Sequence, residues 1–297
     1  MQHDNLVITR AGANSLHPQW LAPGGSRNFD LLVASYDPRV AVRDGDGVLG
    51  IHIPGAKVAG WNEIWHTQQP ILSRYRHIAL IDDDISSDAT TISACFDAGA
   101  RHGLQMWQPS LTWRSHYSHV VTLTNPRFRL RFVNFVEMMC PFFTREALVA
   151  VAPLFGLGYE SGIDMVWCSL LASPWQKCAV IDETPVTHTR PVGARKAENG
   201  FVDRGYEDDI RACLDLFRMR LPTRMAYGAI GRRSGRPLSQ TAVALSTLHL
   251  LAARARLPNT EFPKMLRDHV RHQFTRKPVF NPAAPAILRE LATSRAA

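Results

Sequence analysis

The segment Arg76-His77-Ile78-Ala79-Leu80-Ile81-Asp82-Asp83-Asp84-Ile85 decides how this chain is read. Ile78 to Ile81 is a short apolar run of the kind buried on both faces inside a parallel sheet, and the carboxyl end of such a strand is where open α/β sheets bind ligands. Side chains alternate along an extended chain, so Asp82 and Asp84 share one side and Asp83 takes the other. Two ionised carboxylates about 4 Å apart repel by roughly 1 kcal/mol in water and by about 4 kcal/mol at the dielectric of a protein surface. Three in a row require a compensating cation or protonation. Oxygen ligands of this kind suit Mg2+ or Mn2+. The plainer reading is an acidic solvated loop. The metal reading ranks above it because the apolar strand delivers the acids to a fixed place.

Working outward, Asn5 to Thr9 and Phe29 to Ser35 are candidate strands, and Trp61 to Leu72 is a candidate helix leading into the aspartate strand. Ala89 to Gly103 reads as a helix stopped by its glycine. Met106 to Pro109, Val120 to Thr124 and the long apolar run Phe132 to Phe143 read as extended. Thr144 to Val151 and Asp164 to Leu171 read as helices, and Cys178 to Asp182 as a late strand. Strands alternating with helices predict an α/β domain with a mainly parallel sheet flanked by helices. Past about residue 200 arginines become frequent, and Glu207 to Arg220 and Ser239 to Arg256 look helical. The predicted division is therefore a domain over 1–200 and a basic helical C-terminal extension over 201–297.

The 297 residues are 45% hydrophobic and 20% charged, which are globular values and exclude general disorder. The net charge of +8 suits anionic partners such as nucleotide diphosphates, anionic lipid or nucleic acid, and composition does not choose among them. The cysteines Cys95, Cys140, Cys168, Cys178 and Cys213 form no close pair and read as buried thiols of a reducing compartment. Met1 to Arg10 lacks a basic region followed by a long apolar run, so no secretion signal is read there. Thr241 to Ala253 is too short to span a bilayer. The expectation is a cytoplasmic protein, with peripheral contact at the inner face of the membrane left open through the basic C-terminal region.

Several further constellations bear on chemistry. Asp164 follows Gly156-Leu157-Gly158-Tyr159-Glu160-Ser161-Gly162-Ile163 at a predicted helix start, where a carboxylate is either an N-cap or a general base for an acceptor hydroxyl. His188 follows the late strand. It is either a loop histidine bonded to backbone or the imidazole that completes a metal sphere begun by carboxylates. Arg190, two residues on, suits phosphate oxygens. Arg27, in the loop Gly24-Gly25-Ser26-Arg27-Asn28, and Lys57, before Gly60, are candidate nucleotide and phosphate contacts. Glu137 interrupts an apolar run, which is costly unless it is paired or protonated. It either lines an acceptor pocket or satisfies an arginine such as Arg131. Asp44-Gly45-Asp46-Gly47 lacks the later ligands of a calcium loop and reads as a turn. His116 and His119 lack a third zinc ligand.

Taken together, Arg10-Ala11-Gly12, Ser15-Leu16-His17-Pro18-Gln19-Trp20-Leu21, Arg27-Asn28-Phe29-Asp30-Leu31-Leu32, Leu80-Ile81-Asp82-Asp83-Asp84-Ile85, Gln108-Pro109-Ser110-Leu111-Thr112, Phe135-Val136-Glu137-Met138-Met139-Cys140-Pro141-Phe142-Phe143, Ser161-Gly162-Ile163-Asp164 and His188-Thr189-Arg190-Pro191-Val192-Gly193 resemble the family called domain of unknown function 707. The resemblance covers about residues 5 to 195. That family is similar to glycosyltransferases of the GT-A fold, which is Rossmann-like, so the resemblance implies a metal-dependent transferase of the hexosyltransferase type. It would move a sugar from a nucleotide-diphosphate donor to a carbohydrate or other hydroxyl acceptor. It further implies that Asp82-Asp83-Asp84 matches the Asp-x-Asp motif that binds Mn2+ or Mg2+ and the nucleotide sugar. Asp84 would be the direct metal ligand, Asp82 would meet the ribose or a metal-bound water, and His188 would be the late metal ligand. Arg10, Asp82, Asp83, Arg27, Lys57 and Arg190 are then expected at the donor, and Asp164, with Glu137, at the acceptor, with inversion at the anomeric carbon. The family's usual Glu-Asp pair reads Ile163-Asp164 here.

Two other readings stand beside this one. Ile81-Asp82-Asp83-Asp84-Ile85-Ser86 also fits a haloacid-dehalogenase-like phosphatase, with Asp82 as nucleophile and Asp84 as acid. That motif normally opens its domain, whereas about eighty residues precede it here. A non-catalytic basic binding protein on a transferase scaffold would use the arginines from Arg211 to Arg236. Nucleic acid is disfavoured as its partner because no aromatic-lined module accompanies them.

Overall fold

The structure, a computed structural model, describes residues 2–40, 44–191, 205–248 and 262–296. Its centre is β1 (Asn5–Ala11), β2 (Phe29–Ser35), β3 (Val48–His52) and β4 (His77–Leu80), paired in parallel in the order β3-β2-β1-β4. Every residue of β1 and β2 is buried, as continuous apolar runs require when both faces of a sheet are covered. Alternation sends Leu6, Ile8, Leu32 and Ala34 into one core and Val7, Leu31 and Val33 into the other. The first core meets α1 (Lys57–Thr67), the short α2 (Gln69–Leu72), α4 (Arg145–Val151) and α5 (Tyr206–Leu216). The second meets α3 (Ala89–Arg101), whose start is capped by Asp88 accepting from the Thr91 amide at 2.7 Å.

The full order, with β6 (Met106–Leu111), β7 (Phe128–Val133), β8 (Phe142–Thr144), β9 (Cys178–His188), β10 (Ala226–Gly231) and β11 (Pro237–Ser239), is β11-β10-β7-β9-β6-β8-β4-β1-β2-β3. A two-residue strand, β5 (Ile85–Ser86), pairs with the end of β9. β8 runs antiparallel to both β4 and β6, and β7 runs antiparallel to β9 and β10. The sheet is therefore mixed, which corrects the expectation of a mainly parallel one. An apolar run reports burial on two faces and is blind to strand direction.

Other local expectations give way to tertiary packing. Phe132 to Phe143 is not one extended run: β7 ends at Val133, and residues 134–141 form a loop that carries Glu137. Val120–Thr122 is a 3-10 turn rather than a strand. Asp164 to Leu171 is two 3-10 turns, Ile163–Met165 and Trp167–Leu170, entered through Gly162 at φ 87°. This segment is buried all the way round, so contacts rather than periodicity set its conformation. The half-buried β3 carries no strong apolar pattern and is a strand that the sequence reading misses.

The C-terminal region is not purely helical. β10 pairs with β7, β11 pairs with β10, and α6 (Gln240–Thr247) packs on β10. Cys213, Phe217, Ala226, Val243, Ala284 and Leu288 share the first core with Leu6 and Ile8. The helices α7 (Phe262–Thr275) and α8 (Ala284–Ala296) complete this part. The predicted boundary near residue 200, Val192 and Gly193 of the histidine motif, and residues 249–256 of the predicted helix lie outside the described residues. The five cysteines are free and buried, as read. Among the described residues no helix is long and apolar enough to cross a membrane.

Candidate functional site

The carboxyl ends of β1 and β4 open into a cavity of about 750 Å3. Nine of the ten residues singled out from the sequence line it: Arg10, Lys57, Asp82, Asp83, Asp84, Glu137, Asp164, His188 and Arg190. Arg27 does not. It precedes β2 and so sits at the amino end of the strands, beside the Asp44–Asp46 turn, where it donates to the Asp46 carbonyl. Parallel strands place all their carboxyl ends on one edge, and a residue before a strand falls on the other.

Asp82, Asp83 and Asp84 all line the cavity and lie between β4 and β5, in a turn closed by the Ile85 amide donating to the Asp82 carbonyl at 3.2 Å, which corrects the reading by strand alternation; they differ in their partners. Asp83 is buried and structural. It accepts from the Gly12 amide at 2.8 Å, from Tyr36 at 3.4 Å and from Arg190 at 3.0 Å, tying β1 to the histidine strand. A Cβ at Gly12 would meet the Tyr36 hydroxyl, so a larger residue there requires Tyr36 to move. Asp82 accepts from Lys57 Nζ at 2.6 Å, and Lys57 lies 5.1 Å from the centre of the Trp61 ring. Burial pushes the Asp82 carboxyl up to about 6, with the Lys57 charge opposing and the Asp84 charge adding to the rise.

Asp84 and His188 meet with Oδ2 to Nε2 at 3.2 Å. They are 104 residues apart in sequence and are joined by the Ile85–His188 register of β5 and β9. Thr189 reinforces the junction, its amide and hydroxyl both donating to the Asp84 carbonyl. His188 Nδ1 lies 2.7 Å from the His116 carbonyl, which can only accept, so Nδ1 carries a proton. Nε2 of the neutral ring is then a lone pair facing a carboxylate, and the contact needs a positive species between the two: a proton or a metal ion. As the structure stands, burial favours neutral groups, but the Asp84–His188 hydrogen bond wins, holding Asp84 below its ordinary range and His188 above it.

Asp84 Oδ1 is buried with no hydrogen-bond partner among the described residues, and a carboxylate oxygen suits Mg2+ or Mn2+, whereas the imidazole nitrogen beside it is a softer donor than Mg2+ prefers. Among the described residues no group of three His, Cys, Asp or Glu side chains could hold a metal unaided. Asp82, expected at the metal site through the ribose or a metal-bound water, is engaged by Lys57. Mg2+ bound through one or two carboxylates normally draws its remaining ligands from substrate phosphates and water, so this two-ligand set fits a cation that arrives with a diphosphate.

Across the cavity lie Glu137 and Asp164. Burial lifts Glu137 to about 7, with the Asp164 charge next in importance, and burial lifts Asp164 to about 6 against the Met138 amide, which donates to it at 3.4 Å. Glu137 Oε2 is buried without a partner among the described residues. Its suggested partner Arg131 is committed elsewhere, to Asp182. Asp164 starts a single 3-10 turn and makes no side-chain cap, which removes the N-cap alternative. Glu160 instead acts as a remote cap for α1, accepting from the Val58 and Ala59 amides at 2.7 and 2.8 Å. Arg10 lies against Gly60, where a Cβ would strike its guanidinium. Burial lowers Arg10 to about 10, and its Nε and Nη1 are without partners among the described residues.

The sequence reading missed Tyr36, Ser118, His119, Tyr206, Arg211 and Arg224 as lining residues. Arg224 and Arg211 were counted only as members of a basic tail. The strand that would have drawn Arg224 inward, β10, begins two residues later and has small, weakly patterned residues.

No protein-family model matches the sequence, that of domain of unknown function 707 included, and no curated protein matches it. Among solved structures the chain is similar to TarS of S. aureus, at 9% identity over 72% of this chain and 39% of that one, with a TM-score of 0.44. It thus spans about two fifths of that protein. Against TarS 1-349 the values are 8% identity, 71% and 69% coverage and a TM-score of 0.44. Against TarS 1-349 in complex with UDP-GlcNAc they are 10%, 91%, 72% and 0.44. What the coordinates establish by themselves is an α/β protein with a mixed sheet and an acid-rich cavity at the carboxyl ends of its parallel strands.

Proposed function

We propose that this chain is a glycosyltransferase that moves a sugar from a nucleotide-diphosphate donor to an acceptor hydroxyl, with a divalent cation held by Asp84 and His188. The observation that carries the reading is the meeting of Asp84 with His188 in a cavity that also holds Lys57, Arg190 and two buried acids. Its volume lies in the range of small-molecule sites. The GT-A resemblance drawn from the motifs agrees with this reading, and the α/β sheet order is compatible with it.

Asp84 and His188 would hold Mg2+ or Mn2+, which would supply Lewis-acid stabilisation of charge on the departing diphosphate. Lys57, Arg190 and Arg10 add fixed positive charge on the donor side. Glu137 and Asp164 have carboxyls lifted towards neutrality, and a base near the working pH both accepts a proton and is ionised enough to do so. Asp164 takes the proton of the acceptor hydroxyl as that oxygen bonds to the anomeric carbon and the bond from carbon to diphosphate oxygen breaks, which inverts the centre. Burial keeps the affinity of Asp164 for protons high, and the Asp164 charge in turn adds to the rise at Glu137.

The test is thermal denaturation with a panel of nucleotide sugars, each with and without Mn2+. Ligand binding to the folded state raises the melting temperature. The expected shift requires donor and metal together and is absent from Asp84→Ala. An equal shift in wild type and Asp84→Ala would overturn the assignment. Release of phosphate from simple phosphomonoesters, with no response to nucleotide sugars, would return the phosphatase alternative.

A further inference from the structure

Helix α7 has two unlike faces. Leu266, His269 and Gln273 are buried, with Met265 and Val270 half-buried against the second core. Lys264, Arg267, Arg271 and Phe274 are exposed at intervals of three, four and three residues, which places them on one stripe along the helix. The chain continues through exposed Arg276, Lys277 and Val279 to Phe280, whose ring packs on Trp175 at 5.0 Å; Trp175 also meets Tyr227 at 5.1 Å. Phe274 is 48% exposed, Trp175 56% and Val279 61%. Of the seven tryptophans in the chain, Trp175 is the exposed one. Five residues separate Phe274 from Phe280, so the stripe and the aromatic cluster lie within about 20 Å of each other.

Charge along this surface has one sign. From residue 262 to 280 there are five lysines and arginines and a single acid, Asp268, which lies 4.0 Å from Arg267. No described ion pair engages Lys264, Arg271, Arg276 or Lys277. Cations interspersed with exposed Phe, Val and Trp match an interfacial element: the cations meet anionic headgroups, while the apolar groups and the indole enter the boundary region. A nucleic-acid face would need bases stacked on aromatic platforms, and an exposed valine contributes nothing to that.

We propose that the exposed stripe of α7, with Val279 and Trp175, docks this protein peripherally on an anionic lipid bilayer. The surface is distinct from the cavity, and the proposal stands or falls independently of the reaction assigned there. Binding is electrostatic first: it needs anionic lipid, and it weakens with salt because the Debye length falls from about 10 Å at 0.1 M to about 3 Å at 1 M.

The full chain is sedimented with vesicles of phosphatidylcholine alone and of phosphatidylcholine with a quarter phosphatidylserine, in low and high salt. The expected result is binding only to the anionic vesicles and loss in 1 M NaCl. Arg271→Glu with Lys277→Glu weakens binding about tenfold or more, as loss of even two surface cations requires. Both residues are exposed, so the melting temperature of the double variant should match wild type, which separates lost docking from lost folding. A blue shift of tryptophan fluorescence on the same vesicles, absent from Trp175→Phe, reports entry of that indole. Equal binding by wild type and the double variant overturns the proposal. So does binding to duplex DNA that competes the vesicles off, which would make the stripe a nucleic-acid face.

Discussion

Two buried charged clusters hang on the same sheet and are built to opposite rules. In the first, on β7 and β9, Arg131 donates to Asp182 through Nε at 2.7 Å and Nη2 at 2.9 Å, and to the carbonyls of Val121 and Leu123 at 2.8 Å each. Asp182 also accepts from the Asn125 amide at 2.8 Å. Each charged atom is used and neither side chain reaches solvent. In the second, around the cavity, Asp84 Oδ1, Glu137 Oε2 and Arg10 Nε and Nη1 are buried without partners among the described residues, and carboxylates crowd together. The first cluster closes the structure. The second leaves buried polar atoms without protein partners among the described residues, which costs stability.

The sharpest way to break the comparison is to remove one partner from each cluster. Arg131→Ala leaves Asp182 as an uncompensated buried charge, and arginine cannot shed its own proton to soften the reverse case. Urea denaturation should show a loss of about 3–5 kcal/mol, with much of it restored when Asp182 is replaced by leucine in the same chain. A loss under about 1 kcal/mol would show that the cluster is not the closed structural unit described here.

Glu137→Gln should act in the opposite direction, and its pH dependence gives the sign. The folded carboxyl is lifted to about 7 from an ordinary 4.5, so the folded state binds more protons than the unfolded chain between these values. The stabilising protonation is fully present below the unfolded value and is lost as pH rises through the folded one, leaving a buried charge. The variant should therefore be more stable than wild type by about 3 kcal/mol at pH 8, with the difference vanishing near pH 4. Parallel melting curves across that range would refute the assignment of Glu137 as the strained acid.

The smallest effect on folding is expected at Asp84. Its partner His188 can release a proton when the carboxylate is removed, unlike Arg131, and a repulsion with Asp82 disappears at the same time. Asp84→Ala should shift stability by less than about 1 kcal/mol in either direction while abolishing the metal-dependent response to the donor. Large destabilisation by Asp84→Ala would move this pair into the structural class with Arg131 and Asp182.

Particular residues show which of these features could be read in advance. Asp82, Asp83 and Asp84 are legible because an apolar strand leads into them, but alternation does not separate them, since they occupy the turn beyond that strand and line one cavity. His188 and Arg190 are legible as residues that follow an apolar run, although β9 continues beyond the expected Asp182 and ends on His188 itself. Arg27 was misplaced because a loop rich in glycine looks the same before a strand as after one. Arg224 went unnoticed because nothing local marks a residue that reaches the cavity from a distant edge of the sheet. The helix expected at Asp164 was an error of the same kind, since burial on every side erases the periodicity that would distinguish a helix from successive turns.

By itself the order of residues determined where apolar runs must be buried and where acids follow them, because burial and alternation are local properties of a chain. It also set the sign of the charge on α7. Strand direction, the closure of β9 onto β5 and the company kept by each carboxylate were decided only in three dimensions. They depend on pairings between segments as distant as Asp84 and His188, and on how much water those pairings exclude.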